Sequence, residues 1–132
     1  MSQFVIQICL LLVYTVRCKI SVTAIFEEYQ AQVKTAVLVD EAIKVIQEWK
    51  PDVLISEINL QHKDGRTLIR AIRIKEVEMG GFLPAIALTC CAFPFDYIQA
   101  IQAGFQRLIP KPFDPNELVA VVATLTGRTC SR

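Results

Sequence analysis

Short apolar runs and segments of helical periodicity alternate along this chain, and the alternation occurs five times. The apolar runs predict strands, over residues 4–12, 31–36, 51–58, 83–89 and 106–109. The intervening segments predict helices, over residues 17–29, 39–49, 64–79, 95–103 and 115–126. Strands that alternate with helices pair in parallel, and the helices cover both faces of the sheet. The sequence therefore predicts an α/β fold built on a doubly wound parallel sheet of five strands.

The predicted helices carry signals at their ends and apolar faces along their length. The fifth helix has Asp114 as its cap, Pro115 at its first position and Glu117 three residues after the cap. Asp64 is predicted to cap the third helix, and the glycines at 80–81 to end it. Apolar residues at helical spacing predict the faces that pack on the sheet: Ile20, Ala24, Ile25 and Phe26 in the first helix, Leu68, Ile69, Ile72 and Val77 in the third, and Leu118, Val121, Val122 and Leu125 in the fifth.

Size, charge and cysteine content narrow the class of protein. A length of 132 residues suits one domain, which we place at residues 1–127 with a tail at 128–132. A net charge of +1 without a run of basic residues gives no basis for binding nucleic acid or an acidic membrane. The apolar stretch at residues 4–16 is shorter than the roughly 20 residues of a membrane span, and no basic side chain precedes it. Five cysteines without zinc-like spacing indicate reduced thiols and a cytoplasmic location; the alternative is a redox role for the adjacent Cys90 and Cys91, which directly follow Thr89.

Three of the predicted strands end on a polar side chain. Glu57 closes the third strand, Thr89 closes the fourth, and Lys111 follows the fifth between two prolines. The carboxyl ends of parallel strands are where sites are built, so a carboxylate, a hydroxyl and an ammonium group are predicted to converge on one cleft. The alternative is purely structural, with Glu57 as a cap or ion-pair partner, Thr89 bonded to the backbone and Lys111 in a solvated loop.

Five sequence blocks, in order and in register, resemble the receiver domain of two-component response regulators: residues 51–58, Asp64–Gly65, residues 84–89, residues 103–105 and residues 111–113. Residues 80–89 and 103–105 also resemble receivers fused to hybrid histidine kinases. The resemblance implies a flavodoxin-like sheet with strand order 2-1-3-4-5. It further implies phosphoryl transfer from a histidine kinase to an aspartate at the end of the third strand, with magnesium held by that aspartate and by two acids after the first strand.

Carried over position by position, the resemblance places Glu57 on the phosphoacceptor aspartate. Thr89 and Lys111 fall on the residues that contact the phosphoryl group, and the Lys111–Pro112 bond is implied to be cis. The acidic pair falls on Val13 and Tyr14, and the aromatic switch residue falls on Leu108.

These departures change the expected chemistry. Valine has no ligand atom and tyrosine offers a neutral phenol, whereas magnesium prefers near-octahedral oxygen ligands that include carboxylates. Three carboxylates and a lysine give an active receiver a local charge near −2, but Glu57 with Lys111 gives a charge near zero. We therefore expect no metal and no other cofactor, no enzymatic activity, and an ion pair between Glu57 and Lys111.

The resulting hypothesis is a degenerate receiver, or pseudo-receiver, that acts as a phosphorylation-independent interaction domain. Its expected partners are a histidine kinase or another signalling protein, and a homodimer stays open. Glu57 either mimics a phosphorylated state or belongs to an inert scaffold. The alternative function is an active phosphoacceptor at Glu57. A flavin carrier of the same fold is disfavoured, because residues 13–18 contain no glycine for a phosphate-binding loop.

Overall fold

A computed structural model of the chain describes residues 7–11, 16–57, 64–89 and 94–127. Strands and helices alternate through these residues, in the order β1 (Gln7–Leu11), α1 (Val16–Glu28), β2 (Gln32–Ala36), α2 (Val39–Trp49), β3 (Val53–Glu57), α3 (Asp64–Met79), β4 (Ala85–Thr89), α4 (Pro94–Ala103), β5 (Arg107–Pro110) and α5 (Pro115–Thr126). Among the described residues, no helix has both the length and the apolar character needed to cross a membrane. The alternation predicted from the sequence is confirmed.

The five strands form one parallel sheet in the order β2-β1-β3-β4-β5. This order confirms the doubly wound, flavodoxin-like fold class. Residue 8 of β1 pairs with Val33 on one side and Val53 on the other. At the start of the sheet, the Gln7 amide donates to Asp52 Oδ2 at 2.8 Å, and the Asp52 amide donates to the Gln7 carbonyl at 2.8 Å. This reciprocal pair joins the beginnings of β1 and β3.

Each face of the sheet is covered by its own apolar core. Alternate residues of β3 point to opposite faces, so Val53 and Ile55 pack against α1 and α5, while Leu54 packs against α2, α3 and α4. Phe26 anchors the first core and Phe105 the second, and both are almost completely buried. Because β3 is fully buried on both faces, a continuous apolar run was the correct sequence signal for it.

Most of the predicted helix faces are confirmed, with two corrections. Ala24 is exposed, because the buried stripe of α1 runs through Val22, Ile25 and Phe26 instead. Val77 is 88% exposed, because α3 continues beyond the edge of the sheet after its last core residue, Ile72. Val119 of α5 is buried although the sequence reasoning left it out. The side chain of Ile20 and the tail at 128–132 lie outside the described part of the chain.

The cap predicted for α5 is present. Asp114 has an extended backbone and its Oδ1 accepts from the Asn116 amide at 2.9 Å, with Pro115 as the first helical residue. Gly127 ends the helix in the left-handed conformation, with φ of 67°. Helix α3 begins at Asp64 and is followed by Gly80 with φ of 79°. Asp114 and Gly127 therefore mark the ends of α5, and a glycine follows α3 as predicted. The side chain of Asp64 lies outside the described part of the chain, so its role as a cap stays a prediction.

Candidate functional site

The carboxyl edge of the sheet brings three strand ends together. Glu57 is the last residue of β3, Thr89 is the last residue of β4, and Lys111 directly follows β5. Glu57 pairs in register with Leu88, and Thr89 pairs with Pro110. The Lys111 amide donates to the Thr89 carbonyl at 2.7 Å, which extends the ladder by one bond. The predicted convergence of carboxylate, hydroxyl and ammonium at one edge is found in the structure.

Glu57 and Lys111 form an ion pair across the end of β4. Lys111 Nζ lies 2.9 Å from Glu57 Oε2, and their side chains are 21% and 4% exposed respectively. Neighbouring strands lie about 4.8 Å apart, so the pair joins strands separated by about 10 Å, which two long side chains can span. The Lys111–Pro112 bond is cis, as the resemblance implied. The site therefore holds one negative and one positive charge in direct contact.

Thr89 lies between these two charges in strand order. Its residue is 1% exposed, and Glu57 is 3% exposed, so both are enclosed at the edge of the core. Ser56, the residue before Glu57, is fully buried, and its Oγ has no hydrogen-bond partner. The sequence reasoning did not single out Ser56, although a hydroxyl within an otherwise apolar strand was visible there.

Leu108 occupies an interior position of β5. It is 6% exposed, pairs in register with Ala87, and belongs to the apolar core that includes Ala100 of α4 and Phe105. An aliphatic side chain at this position is held within the packing of the α4 side of the sheet.

Several predicted positions lie outside the described residues. Val13 and Tyr14 belong to the segment 12–15, and the structure describes neither. The same applies to Cys90 and Cys91 in segment 90–93. The predicted loss of the acidic pair therefore rests on the sequence alone and stays a prediction.

The described side chains do not fit a magnesium ion. Magnesium takes oxygen ligands in near-octahedral geometry, usually including one or two carboxylates. Here one carboxylate oxygen of Glu57 already contacts an ammonium group. Among the described residues, no group of three or more histidine, cysteine, aspartate or glutamate residues is placed to hold a metal ion. The expectation that the domain works without a metal stays a prediction.

A polar cluster that the sequence analysis missed, the Arg73 clamp (Arg73, Glu76, Gly104 and Gln106), lies at the opposite edge of the sheet. Arg73 Nη2 and Nε donate to the Gly104 carbonyl at 2.8 and 3.1 Å, and Nη1 contacts Glu76 Oε1 at 2.7 Å. Gln106 Oε1 accepts from Arg73 Nη2 at 3.1 Å and from the Ala85 amide at 2.7 Å. Sequence signals for such a cluster are weak, because Arg73 and Gln106 are 33 residues apart.

A cleft of about 670 Å³ opens beside the clamp, between α2 and α3. Its lining is mainly apolar and includes Ile43, Ile46, Met79 and Phe82. None of the predicted site residues contributes to it. The predicted site at the carboxyl edge is thus separate from this cleft, which lies beside the Arg73 clamp at the other end of the sheet.

Comparison with known protein sequences identifies relatives of this chain. The family described as the response regulator receiver domain matches residues 17–123. An uncharacterized 14.6 kDa protein from the sodA1 3′ region of Leptolyngbya boryana is 36% identical over 96 residues, which are 73% of this chain and 72% of that protein. Response regulator Rre1 of Synechocystis sp. is 35% identical over 88 residues, 67% of this chain but only 37% of the regulator. The DNA-binding transcriptional regulator NtrC of Proteus hauseri is 31% identical over 63% of this chain and 17% of its own length.

Solved structures share the fold. The chemotaxis response regulator CheY4 of Vibrio cholerae superimposes with a TM-score of 0.79 at 21% identity, covering 92% of this chain and 99% of CheY4. A two-component response regulator from Clostridium difficile gives a TM-score of 0.78 at 24% identity, covering 93% and 97% of the two chains. The sheet order, the strand-end site and the family match over residues 17–123 lead to one assignment: the chain belongs to the response regulator receiver domain family of two-component signalling.

Proposed function

We propose that this receiver is a cytoplasmic pseudo-receiver, which acts as an interaction domain without being phosphorylated. The observation that carries the proposal is the contact of 2.9 Å between Glu57 Oε2 and Lys111 Nζ. Glu57 stands at the acceptor position by resemblance, and its carboxylate is already neutralised by the lysine that would otherwise meet a phosphoryl group.

Phosphoryl transfer needs an acceptor oxygen in line with the phosphorus, and metal ions that neutralise the developing charge. The ion pair opposes the first requirement, because an incoming phosphoryl group must displace Lys111 from an oxygen with a side chain only 4% exposed. The sequence at Val13 and Tyr14 opposes the second, because it supplies no carboxylate. The acceptor position and the metal-binding positions therefore both argue that the domain has lost phosphoryl transfer.

Two forms of this function follow from the charges. A carboxylate held on Lys111 partly resembles a phosphorylated site, although it carries −1 where a phosphoryl group carries about −1.5 to −2. The other form is an inert scaffold, which binds its partner without resembling a phosphorylated site. The buried Leu108 favours the scaffold, because an aliphatic residue within the core offers no aromatic ring to move in response.

The partner we propose is a histidine kinase or another signalling protein. A net charge of +1 and the absence of a run of basic residues in the sequence give no electrostatic reason to propose nucleic acid as a partner. NtrC is described as DNA-binding, but the match covers 17% of its length.

The second candidate function is an active phosphoacceptor, which the closeness of Glu57, Thr89 and Lys111 favours. To separate the two, the protein is incubated with phosphoramidate and magnesium, and its intact mass is measured. We expect no added phosphoryl group. Glu57→Asp, which shortens the acceptor to the family's usual residue, is expected to stay unmodified as well, because the acidic pair is still missing.

If a phosphoryl group is added, peptide mapping identifies the modified residue. A phosphoryl adduct on Glu57 that disappears in Glu57→Gln would establish the phosphoacceptor and overturn the proposal. An adduct that persists in Glu57→Gln lies on another residue; it excludes Glu57 as the acceptor and also contradicts the proposal that the domain acts without being phosphorylated.

A further inference from the structure

The outward side of α3 carries apolar residues that no other described element covers. Ile74 is 61% exposed and Val77 is 88% exposed, although α3 packs on the sheet and lies between α2 and α4. Contiguous apolar surface on a soluble domain marks sites of interaction. Within the described part of the chain, this surface is left to solvent.

Charged residues stand on either side of Ile74 in a single row. Arg70, Ile74 and Glu78 are spaced four apart and all are exposed; we call this row the α3 ridge. Residues four apart on a helix lie one above the other, so the row reads positive, apolar, negative along the axis. Arg70 and Glu78 are separated by about 12 Å along the helix, which is too far for them to pair with each other.

Neighbouring charges do not satisfy these two residues in the described structure. Its two ion pairs are Arg73–Glu76 and Lys111–Glu57, and neither includes Arg70 or Glu78. The ridge therefore presents one cation and one anion that form no ion pair within the described residues.

We infer that the α3 ridge is a homodimer contact, in which two copies cross their α3 helices about a two-fold axis at Ile74. An antiparallel crossing at this residue sets Ile74 against Ile74 of the second copy. It also sets Arg70 against Glu78 of the second copy, and the axis repeats that pair on the other side. Two-fold contacts must be self-complementary in this way.

The geometry is one that helices commonly adopt. Rows of residues four apart pack into each other at a crossing angle near −50°, with axes about 8–10 Å apart. Long arginine and glutamate side chains reach across that distance at the ends of the contact. The two-fold axis then sets Val77 beside Val77 of the second copy on one flank of Ile74, and the half-buried Ala71 beside Ala71 of the second copy on the other, so apolar side chains lie on both flanks of the centre.

The charged residues contribute more to the specificity of the contact than to its affinity. Exposed ion pairs contribute little affinity but fix orientation and exclude like-charged arrangements. One helix from each copy makes a small interface, below about 1,200 Å², in the size range of weak, transient contacts. Because buried area does not fix affinity, we take a dissociation constant on the order of 100 µM as the expected value for such a contact. The inference is independent of whether Glu57 accepts a phosphoryl group.

Sedimentation equilibrium under reducing conditions tests the contact, with far-UV circular dichroism to confirm folding. We expect the unmodified chain to dimerise and Ile74→Glu to be monomeric. Arg70→Glu and Glu78→Arg are each expected to weaken dimerisation about tenfold, since each creates two like-charge pairs. Combining R70E with E78R exchanges the charges and is expected to restore the dimer. Lys44→Glu, an exposed change on α2, is the matched control and should have no effect.

Three results would overturn the inference. One is a monomer at protein concentrations about tenfold above the expected dissociation constant. Another is a dimer that survives Ile74→Glu but is lost in Ile98→Ser, which would place the interface on α4, where Ile98 is 54% exposed. The third is a double variant, R70E with E78R, that dimerises no better than the single variants. The antiparallel two-fold pairing predicts that the double variant regains the dimer affinity that each single variant loses.

Discussion

At the scale of single residues, the site depends on the ion pair of Glu57 and Lys111, whose side chains differ in their exposure to solvent. The Glu57 side chain is 4% exposed, whereas Lys111 is 21% exposed and keeps part of its contact with water. A charge removed from water is costly unless a partner compensates for it. Glu57 therefore depends on Lys111 more than Lys111 depends on Glu57, and the order of mutational effects follows from this difference.

Removing either partner should destabilise the domain. We expect Glu57→Gln to lower the free energy of unfolding by about 1–3 kcal/mol, and Lys111→Met to lower it by about 2–4 kcal/mol, because the more buried charge then loses its ammonium partner. The double variant should be more stable than Lys111→Met, since neither charge remains. Urea denaturation measures all three, with Lys44→Met as an exposed control. Additive effects of the two single changes would show that the pair contributes no coupling.

The sequence predicted this site well where it depended on strand ends. Glu57, Thr89 and Lys111 could be brought together because β3, β4 and β5 are recognisable and parallel neighbours end at one edge. The packing of Leu108 could not be predicted, because it depends on which face of the sheet the residue occupies. The burial of Ser56 follows from a strand buried on both faces, but the lack of a hydrogen-bond partner for its Oγ does not.

At the scale of secondary structure elements, the Arg73 clamp ties α3 to the turn between α4 and β5. The Glu76 carboxylate also accepts from the Leu83 amide at 2.6 Å, so the segment before β4 joins the same cluster. The guanidinium group lies 4.4 Å from the centre of the Phe82 ring, which adds a cation–π contact. Three segments that are distant in sequence are thereby fixed to one arginine.

Gly104 makes that close approach feasible. Its φ is 124°, and a Cβ added there would lie 3.0 Å from Arg73 Cγ. We expect Gly104→Ala to destabilise the domain by about 2–4 kcal/mol, from backbone strain together with displacement of Arg73. Gly127→Ala is the matched control, because its φ is 67° and a Cβ there meets nothing within 4 Å. It should cost about 1 kcal/mol. Equal losses in thermal or urea denaturation would contradict a role for the Arg73 contact.

The errors in the predicted helix faces also belong to this scale. Helical spacing fixes which residues share a stripe, but not how far the helix extends past the sheet. Val77 continues the periodic pattern of α3 and yet lies beyond the core, and Ala24 is small enough to fit either side. Such errors arise from tertiary placement, which local patterns do not contain.

At the scale of the whole molecule, stability is concentrated in the centre of the sheet. All five residues of β3 and of β4 are buried, whereas β2 and β5 lie at the sheet edges and are partly exposed. We expect hydrogen exchange to be slowest for the amides of β3 and β4 and faster for those of β2, because edge strands open without disrupting the core. Uniform protection across the five strands, measured by NMR, would contradict this gradient.

The strand order 2-1-3-4-5 has a consequence for how the chain is made. The first strand ends up between the second and the third, and the bond from Gln7 to Asp52 spans 45 positions. As the polypeptide leaves the ribosome, its opening strand has no neighbour until β2 emerges, and its second flank stays uncovered until β3 follows. A nascent fragment that stops short of β3 therefore leaves one side of β1 uncovered, so lasting structure waits until the chain through Glu57, the last residue of β3, has emerged.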